Sequence, residues 1–295
     1  MIISNATLEK LRSGFSTLFQ AGLKDADEVH GLISTRVSSA TKIETYGFLG
    51  DMPIFRRWVG EKRVKSLGEK AYTLINEDFE ATIGIHKNKI KDDNLGLYGP
   101  IVTGWGQNAA KLPSQLIFEA LSTGHQKVCY DGQNFFDTDH PVGDDGAIVS
   151  NMSAAGGASP WYLIDASQPM KPILYQVREE PHFHMVTDMQ DTEVFKTGEY
   201  LMGAEARAAA GYTYWQMAYR STQTLNKANY EAARDAMMAQ KDDEGQPLGI
   251  KPTHIVVGTS NWQAARELFE KPSLAGGESN VNNGEVAIVH AKRLP

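Results

Sequence analysis

Apolar residues recur along this chain with two periods, and the places where the period changes divide it into elements. Between Leu97 and Leu121 the spacing is helical. Leu97, Ile101, Val102, Trp105, Ala109, Leu112, Leu116, Ile117, Ala120 and Leu121 make one stripe, which predicts a spine on which other segments pack. Pro100 suits the first turn, where a missing N–H is harmless. Pro113 lies inside the pattern and predicts a kink or a break into two helices. Gly124 is placed to stop the helix in a left-handed conformation. Gly104, Gly106, Ala109 and Ala110 leave a side-chain-poor surface that another backbone could approach closely.

On the N-terminal side, Leu8, Leu11, Phe15, Leu18 and Phe19 predict a helix with Gly22 as its stop, followed by a polar stretch to Thr45. Residues 1–45 thus read as a helical arm, lying either on the chain's own core or on a neighbour. Ala71–Asn76 and Phe79–Ile85 alternate apolar and polar residues, and their simplest arrangement is a projecting antiparallel hairpin. Beyond the spine, Gly- and Ser-rich segments between Gly143 and Pro160 mark a boundary. Trp161–Ile164 and Ile173–Val186 read as strands, with Ile173, Tyr175 and Val177 on one face and Phe183 and Met185 continuing the alternation. Leu201–Tyr219 is ambiguous, because Ala204–Ala210 is rich in helix formers. The last third alternates helix and strand. Asn226 caps a helix with Tyr230, Ala233 and Met237 on its apolar side, and His254–Val257 is a short strand. Ser260 caps a helix carrying Trp262, Ala265, Leu268 and Phe269, and Val286–Val289 is the final strand. The class is α+β.

Composition narrows the function. A chain of 295 residues, 41% hydrophobic and 22% charged, is long enough for one large domain or two smaller ones with a sizeable core. No apolar stretch is long enough to span a bilayer, and the start lacks the basic-then-apolar pattern of a secretory signal. The single cysteine, Cys129, excludes an intrachain disulfide and a cysteine-rich zinc site, and points to a reducing cytoplasm. The net charge of −7 is not the footprint of a nucleic-acid reader, but it suits a container around DNA and many enzymes alike.

Three clusters could carry chemistry. Asp137-Thr138-Asp139-His140 offers two carboxylates beside an imidazole, a set that could bind metal or move protons. Against that stands a structural turn, with Asp137 and Asp139 serving backbone N–H groups, Pro141 fixing the exit and Phe135 and Phe136 anchoring it in the core. The structural reading ranks first. His182 and His184 share one strand face and could begin a metal site, but no third ligand is evident and an exposed face is the simpler reading. Cys129 has no activating context. Phosphate-binding, dinucleotide and nucleophile-elbow motifs are all absent. No catalytic, cofactor or metal residue is therefore assigned. Arg56, Arg57, Lys62, Arg63 and Lys65 put five cations into ten residues around Trp58. This segment is a solvated face, a contact with acidic partner surface, or a nucleic-acid patch. Trp58 and the acidic remainder of the chain favour contact with copies of itself.

Several longer stretches, in order across nearly the whole chain, resemble the major head (capsid) protein family of Mu-like phages and prophages. They are Tyr130–Pro141, Trp161–Asp165, Lys171–Gln176, Gly211–Ala218 and Pro252–Val257. The resemblance implies a Hong Kong 97-like capsid fold, and with it strand rather than helix over Leu201–Tyr219. It implies an N-terminal arm (1–45), an extended hairpin loop (46–85), a mainly peripheral domain with the spine helix (86–220), a mainly axial domain (221–285) and a C-terminal strand (286–295). The extended loop of the family lies over the adjacent subunit, which makes Arg56, Arg57, Trp58, Lys62, Arg63 and Lys65 candidates for inter-subunit contact. The implied function is self-assembly, through pentamers and hexamers, into an icosahedral shell around double-stranded DNA. That DNA is enclosed without sequence-specific binding, and neither catalysis, cofactor nor membrane is involved. Scaffold, portal and decoration proteins are the implied partners, and the virion, assembled in the bacterial cytoplasm, is the implied location. A cellular nanocompartment shell of the same fold, or a soluble enzyme using the Asp137–His140 turn, remain the alternatives.

Overall fold

The computed structural model describes residues 5–24, 28–48, 70–92, 96–143, 146–188, 190–242, 245–273 and 276–294. The first helix, α1 (Asn5–Leu23), is followed by β1 (Ser34–Ser38), β2 (Ile43–Phe48), β3 (Lys70–Ile75) and β4 (Glu77–His86). A short helix, α2 (Lys87–Lys91), leads to the predicted spine. The spine is broken into α3 (Tyr98–Ala109) and α4 (Leu112–Thr123), with Pro113 in the first turn of the second helix, where its lost N–H needs no partner. Three small strands, β5 (His140–Val142), β6 (Ala147–Val149) and β7 (Met152–Ser153), precede β8 (Trp161–Ile164). Two long strands, β9 (Ile173–Val186) and β10 (Glu199–Tyr212), flank the short helix α5 (Thr192–Thr197). The chain ends with β11 (Ala218–Ser221), α6 (Lys227–Met238), β12 (His254–Val257), α7 (Thr259–Phe269) and β13 (Ala287–His290).

Two sheets organise these elements. The first has the order β1-β9-β10-β4, antiparallel except for the parallel β1–β9 pair. The alternation seen in β9 is real. Ile173, Tyr175 and Val177 enter the main core beside α4, while Phe183 and Met185 pack with α1 and α3. Ala204 to Ala210 is strand despite its helix formers. Pairing with β9, and with β4 as far as Ala208, supplies its hydrogen bonds, and small side chains at Ala204 and Ala208 suit the cores beneath the helices. The second sheet, β13-β12-β8-β11-β7, is buried on both faces. Trp161, Leu163, Ile255 and Val257 face the core under α6 and α7, whereas Tyr162, Ile164 and Val256 face the core shared with α4. Two buried faces explain why β8 and β12 read as unbroken apolar runs. This sheet joins strands from before and after residue 221.

The side-chain-poor surface of the spine does receive another backbone. Gly22 of α1 and Gly106 of α3 face each other so closely that a Cβ on Gly106 would lie 2.2 Å from the Phe19 carbonyl oxygen. A Cβ on Gly22 would lie 2.2 Å from the Thr103 carbonyl oxygen. Gly22 is therefore a packing residue in the last turn of α1.

Four local expectations need correction. Gly124 ends α4 in right-handed conformation (φ −58°). It is glycine for another reason, because a Cβ there would come within 2.9 Å of the Phe136 ring. Ala71–Asn76 and Phe79–Ile85 do not pair with each other. β3 pairs with β2, and β4 joins β10 at the sheet edge, because Asn76 turns the chain between the two sheets. Asn76 is buried and bonded to Ser39, Thr41 and Gln176. The polar stretch before Thr45 contains β1, paired with β9. Gly258, not Ser260, precedes α7 as its cap residue.

The two spine glycines should respond oppositely to alanine. Gly106→Ala overpacks a backbone contact and should destabilise the fold by about 1–3 kcal/mol. A Cβ on Gly104 meets nothing within 4 Å, so Gly104→Ala should be neutral or raise stability by up to about 1 kcal/mol through helix propensity. Thermal denaturation of both variants reads the contrast, and equal effects would contradict the close-approach geometry.

Candidate functional site

After α4 the chain turns sharply, and aromatic residues hold the turn in place. Phe135 stacks on Tyr212 with ring centroids 4.4 Å apart, and Phe136 lies 5.6 Å from Tyr162. Both phenylalanines are buried. The Phe136 N–H donates to the Gly124 carbonyl (3.0 Å), and the Tyr212 hydroxyl donates to the Ala120 carbonyl (2.7 Å). These bonds couple the end of α4 to the turn and to β10. The Asp137 carboxylate accepts from the backbone N–H of Asn134 (3.3 Å) and Thr138 (2.8 Å), the role expected of it. Pro141 lies in β5, which pairs with β6 and carries the chain away. Asp139 is exposed.

His140 behaves differently from the rest of its cluster. Its ring is fully buried and stacks flat on Trp215, with centroids 3.9 Å apart and planes 9° from parallel. Its carboxylate partner is neither Asp137 nor Asp139 but Asp131, nine residues upstream, with Nδ1 2.7 Å from Oδ2. Its Nε2 lies 3.3 Å from the Asn151 side-chain oxygen. Asn151 in turn donates to the carbonyls of Phe135 (2.8 Å) and Trp215 (3.2 Å) and accepts from the Asp137 N–H (2.9 Å). Both imidazole nitrogens thus face acceptors, and the ring ties the turn to Trp215. Asp131 also accepts from the Gln133 N–H and the Cys129 thiol, each at 3.0 Å.

Electrostatics agree with a structural hub. Burial works against ionising Asp131, but hydrogen bonds from His140 and Cys129 and attraction to His140 outweigh it, holding this carboxyl below the usual range. Burial pushes the Cys129 thiol up, the opposite of what activates a nucleophile. Cys129, Asp131 and His140 bring potential metal-ligand atoms within 4.8 Å of one another. The His140 and Asp131 side chains are only 0% and 1% exposed, however, and their polar atoms are already satisfied by each other and their neighbours. A substrate has no approach to this imidazole. The arrangement positions four segments of backbone around one buried histidine–aspartate hydrogen bond.

The remaining clusters fall elsewhere. Arg56, Arg57, Trp58, Lys62, Arg63 and Lys65 all lie outside the described residues. His182 and His184 do share a strand face. The third ligand type that sequence spacing could not supply is Glu205, brought opposite His182 by the β9–β10 register. Asp131 and Asn151 were also missed in the hub. Asp131 sits in the Tyr130–Pro141 stretch, but nothing in its spacing marks it as the partner of His140. Several large apolar side chains are exposed on this chain, among them Phe195 on α5 (74%), Val281 (72%) and Ile148 on β6 (70%). Among the described residues no helix is long and apolar enough to cross a membrane.

Comparison with known proteins gives a consistent answer. The profile of the family described as Mu-like prophage major head subunit gpT matches residues 8–294. The major capsid protein of Escherichia phage Mu is 38% identical over 305 aligned positions, covering 100% of both chains. Among solved structures, a subunit of the procapsid of bacteriophage JBD30 superposes with a TM-score of 0.85 at 38% identity, covering 98% of this chain and 99% of that one. A subunit of the JBD30 capsid decorated with minor capsid protein trimers gives a TM-score of 0.80 at 30% identity, covering 98% of each chain.

The hub can be tested by removing either partner. His140→Ala leaves the buried Asp131 carboxylate short of a hydrogen-bond partner and should cost about 1–3 kcal/mol. For the pH dependence, the folded pKa of Asp131 is depressed. Its stabilising contribution is thus fully present above the ordinary carboxylate value of about 4 and is lost as pH falls through the lower folded value. The stability gap between wild type and Asp131→Asn should accordingly be full near neutrality and narrow in acid. Denaturant titrations across that range measure it, and a pH-independent gap would contradict a carboxylate at Asp131 stabilised by its buried hydrogen bonds.

Proposed function

The chain belongs to the Mu-like prophage major head subunit gpT family, and we propose that it acts entirely through packing, as the repeating tile of a closed shell with a Hong Kong 97-like fold. Its function is structural, as a major capsid subunit, and its place is the virion. The full-length likeness to a procapsid subunit carries this reading. In it, α3, α4 and the long strands β9 and β10 make up the peripheral domain. The axial domain is built on α6, α7 and the strands beside them. Residues 1–45 are the arm and residues 46–85 the extended loop.

Self-association is supported by features that a lone subunit leaves unsatisfied. Phe195, Ile148 and Val281 expose apolar area that burial between copies would stabilise by roughly 25 cal/mol per Å². β4 runs for ten residues along the edge of its sheet, a position where backbone groups invite a further partner. In this reading pentamers and hexamers close into an icosahedral shell around double-stranded DNA, with no sequence-specific contact to it. Assembly takes place in the bacterial cytoplasm with a scaffold and a portal, and decoration proteins bind the finished surface. The decorated JBD30 capsid supports that last element by analogy.

The basic segment supplies the sharpest test. Arg56, Arg57, Lys62, Arg63 and Lys65 would face acidic surface on the next subunit, with Trp58 as the apolar anchor. One exposed ion pair is worth only about 0–1 kcal/mol, but a shell repeats it at every interface, so weak contacts reinforce one another. Changing Arg56, Arg57 and Arg63 together to Glu should leave the circular dichroism of the subunit nearly unchanged while reducing or abolishing sedimenting particles. Salt near 1 M, where the screening length falls to about 3 Å, should loosen wild-type shells in the same direction. Normal particle yield from the triple variant would make this segment a solvated face. A wild-type protein that stays monomeric by light scattering under assembly conditions would count against the shell reading itself.

A further inference from the structure

The far half of the four-stranded sheet has two unlike faces. Phe183, Met185 and Ala204 point towards α1 and α3, so the intervening residues point the other way. There, His182 and His184 stand two residues apart on β9, and Glu205 on β10 is the direct register partner of His182. Directly opposed residues on antiparallel strands share a face. One potential ligand atom from each of the three lies within 4.8 Å of the other two, and the two imidazole rings are 4.4 Å apart, edge to face. His184 and Glu205 are exposed, and His182 is half-buried.

Three further observations set this cluster apart from a chance grouping of surface residues. First, His182 Nδ1 lies 3.2 Å from the Glu180 carbonyl oxygen. An N–H donating there holds the ring and leaves Nε2 as the lone-pair nitrogen, the arrangement found in metal-bound histidines. Second, neither the His184 nor the Glu205 side chain has a hydrogen bond or ion pair to any described residue, while the neighbouring cations are taken. Arg36 pairs with Glu180, and Arg207 pairs with Asp78 and Glu179. Third, Glu80 on β4 is the register partner of Glu205 and adds a second carboxylate to the same row, so the row carries uncompensated negative charge.

We propose that His182, His184 and Glu205 form a binding site for a divalent transition-metal ion of the zinc or nickel type. Two imidazoles and one carboxylate are a donor set suited to such ions, and three protein ligands leave a position for water or for a donor from a second copy of the chain. Tetrahedral bonds of about 2.1 Å place ligand atoms about 3.4 Å apart. The site therefore closes by rotamer adjustment of His184 and Glu205 around the His182 ring that the Glu180 carbonyl holds.

Titration of zinc chloride, and of nickel chloride in parallel, into the purified full-length chain by calorimetry tests the site. The expected result is one saturable ion per chain near neutral pH. Affinity should fall about ten-fold or more in His184→Ala and in Glu205→Gln, and binding should vanish in the double variant His182→Ala/His184→Ala. Binding should also weaken in acid, because protons compete with the metal for its ligands. His125→Ala, a histidine elsewhere on the chain, should bind like wild type, and circular dichroism checks that each variant is folded. Saturable binding that survives in the folded double variant, or no saturable binding by wild type, would overturn the assignment.

Discussion

The antiparallel pairing of β9 with β10 is the constraint on which the rest of this structure depends. Each strand contributes fourteen residues, and together they run the full length of the four-stranded sheet. One face of the pair receives α4 at one end and α1 and α3 at the other, so two separate cores rest on a single ribbon. The alanines of β10 make this possible, since larger side chains at Ala204 and Ala208 would hold the helices away. The opposite face carries Leu174 and Ala209 against Leu74 of β3 at one end, and the histidine–glutamate cluster at the other. Bulges between Glu205 and Ala208 absorb extra residues of β9 without reversing which side chains face the helices.

Rigidity where the sheet meets the spine comes from the hub around His140. A buried polar pair adds little net stability over an apolar replacement, because desolvation offsets much of its attraction. Its value lies in direction. Asp131, Asn151 and Trp215 accept only one placement of the ring, and that placement fixes the Phe135–Phe136 turn against Tyr212 and Tyr162. In a subunit that must match its neighbours repeatedly, a turn with one geometry is worth more than a turn that is merely stable. The contrast with the exposed apolar residues follows the same logic. The interior is specified closely, whereas Phe195, Ile148 and Val281 stay exposed.

The α+β class, the broken spine, the Asn226 cap and the apolar faces of β8, β12 and α6 were all legible in the sequence, because each depends on residues close together in the chain. Periodicity and capping are local physics. The order of stretches from Tyr130 to Val257 carried the family resemblance for the same reason, and the full-length match agrees with it. Gly106 was legible as a site of close approach, since a small residue on a helical stripe has few other uses.

What only the tertiary structure decided are the pairings between distant segments. Helix propensity in Ala204–Ala210 was overruled by hydrogen-bonding partners on both sides. Gly124 is required by the phenylalanine rings packed against it and not by its own backbone angles. β3 and β4, adjacent in sequence, part company because their alternation cannot say which edge each will meet. His140 looked like a partner of Asp137 and Asp139, its chain neighbours, yet folding gave it Asp131 and Asn151. Likewise Glu205 lies twenty-one residues beyond His184 and stands beside it only through the strand register. Sequence spacing determines which residues share a face of one element, whereas partners across elements depend on register and topology, which no local pattern encodes.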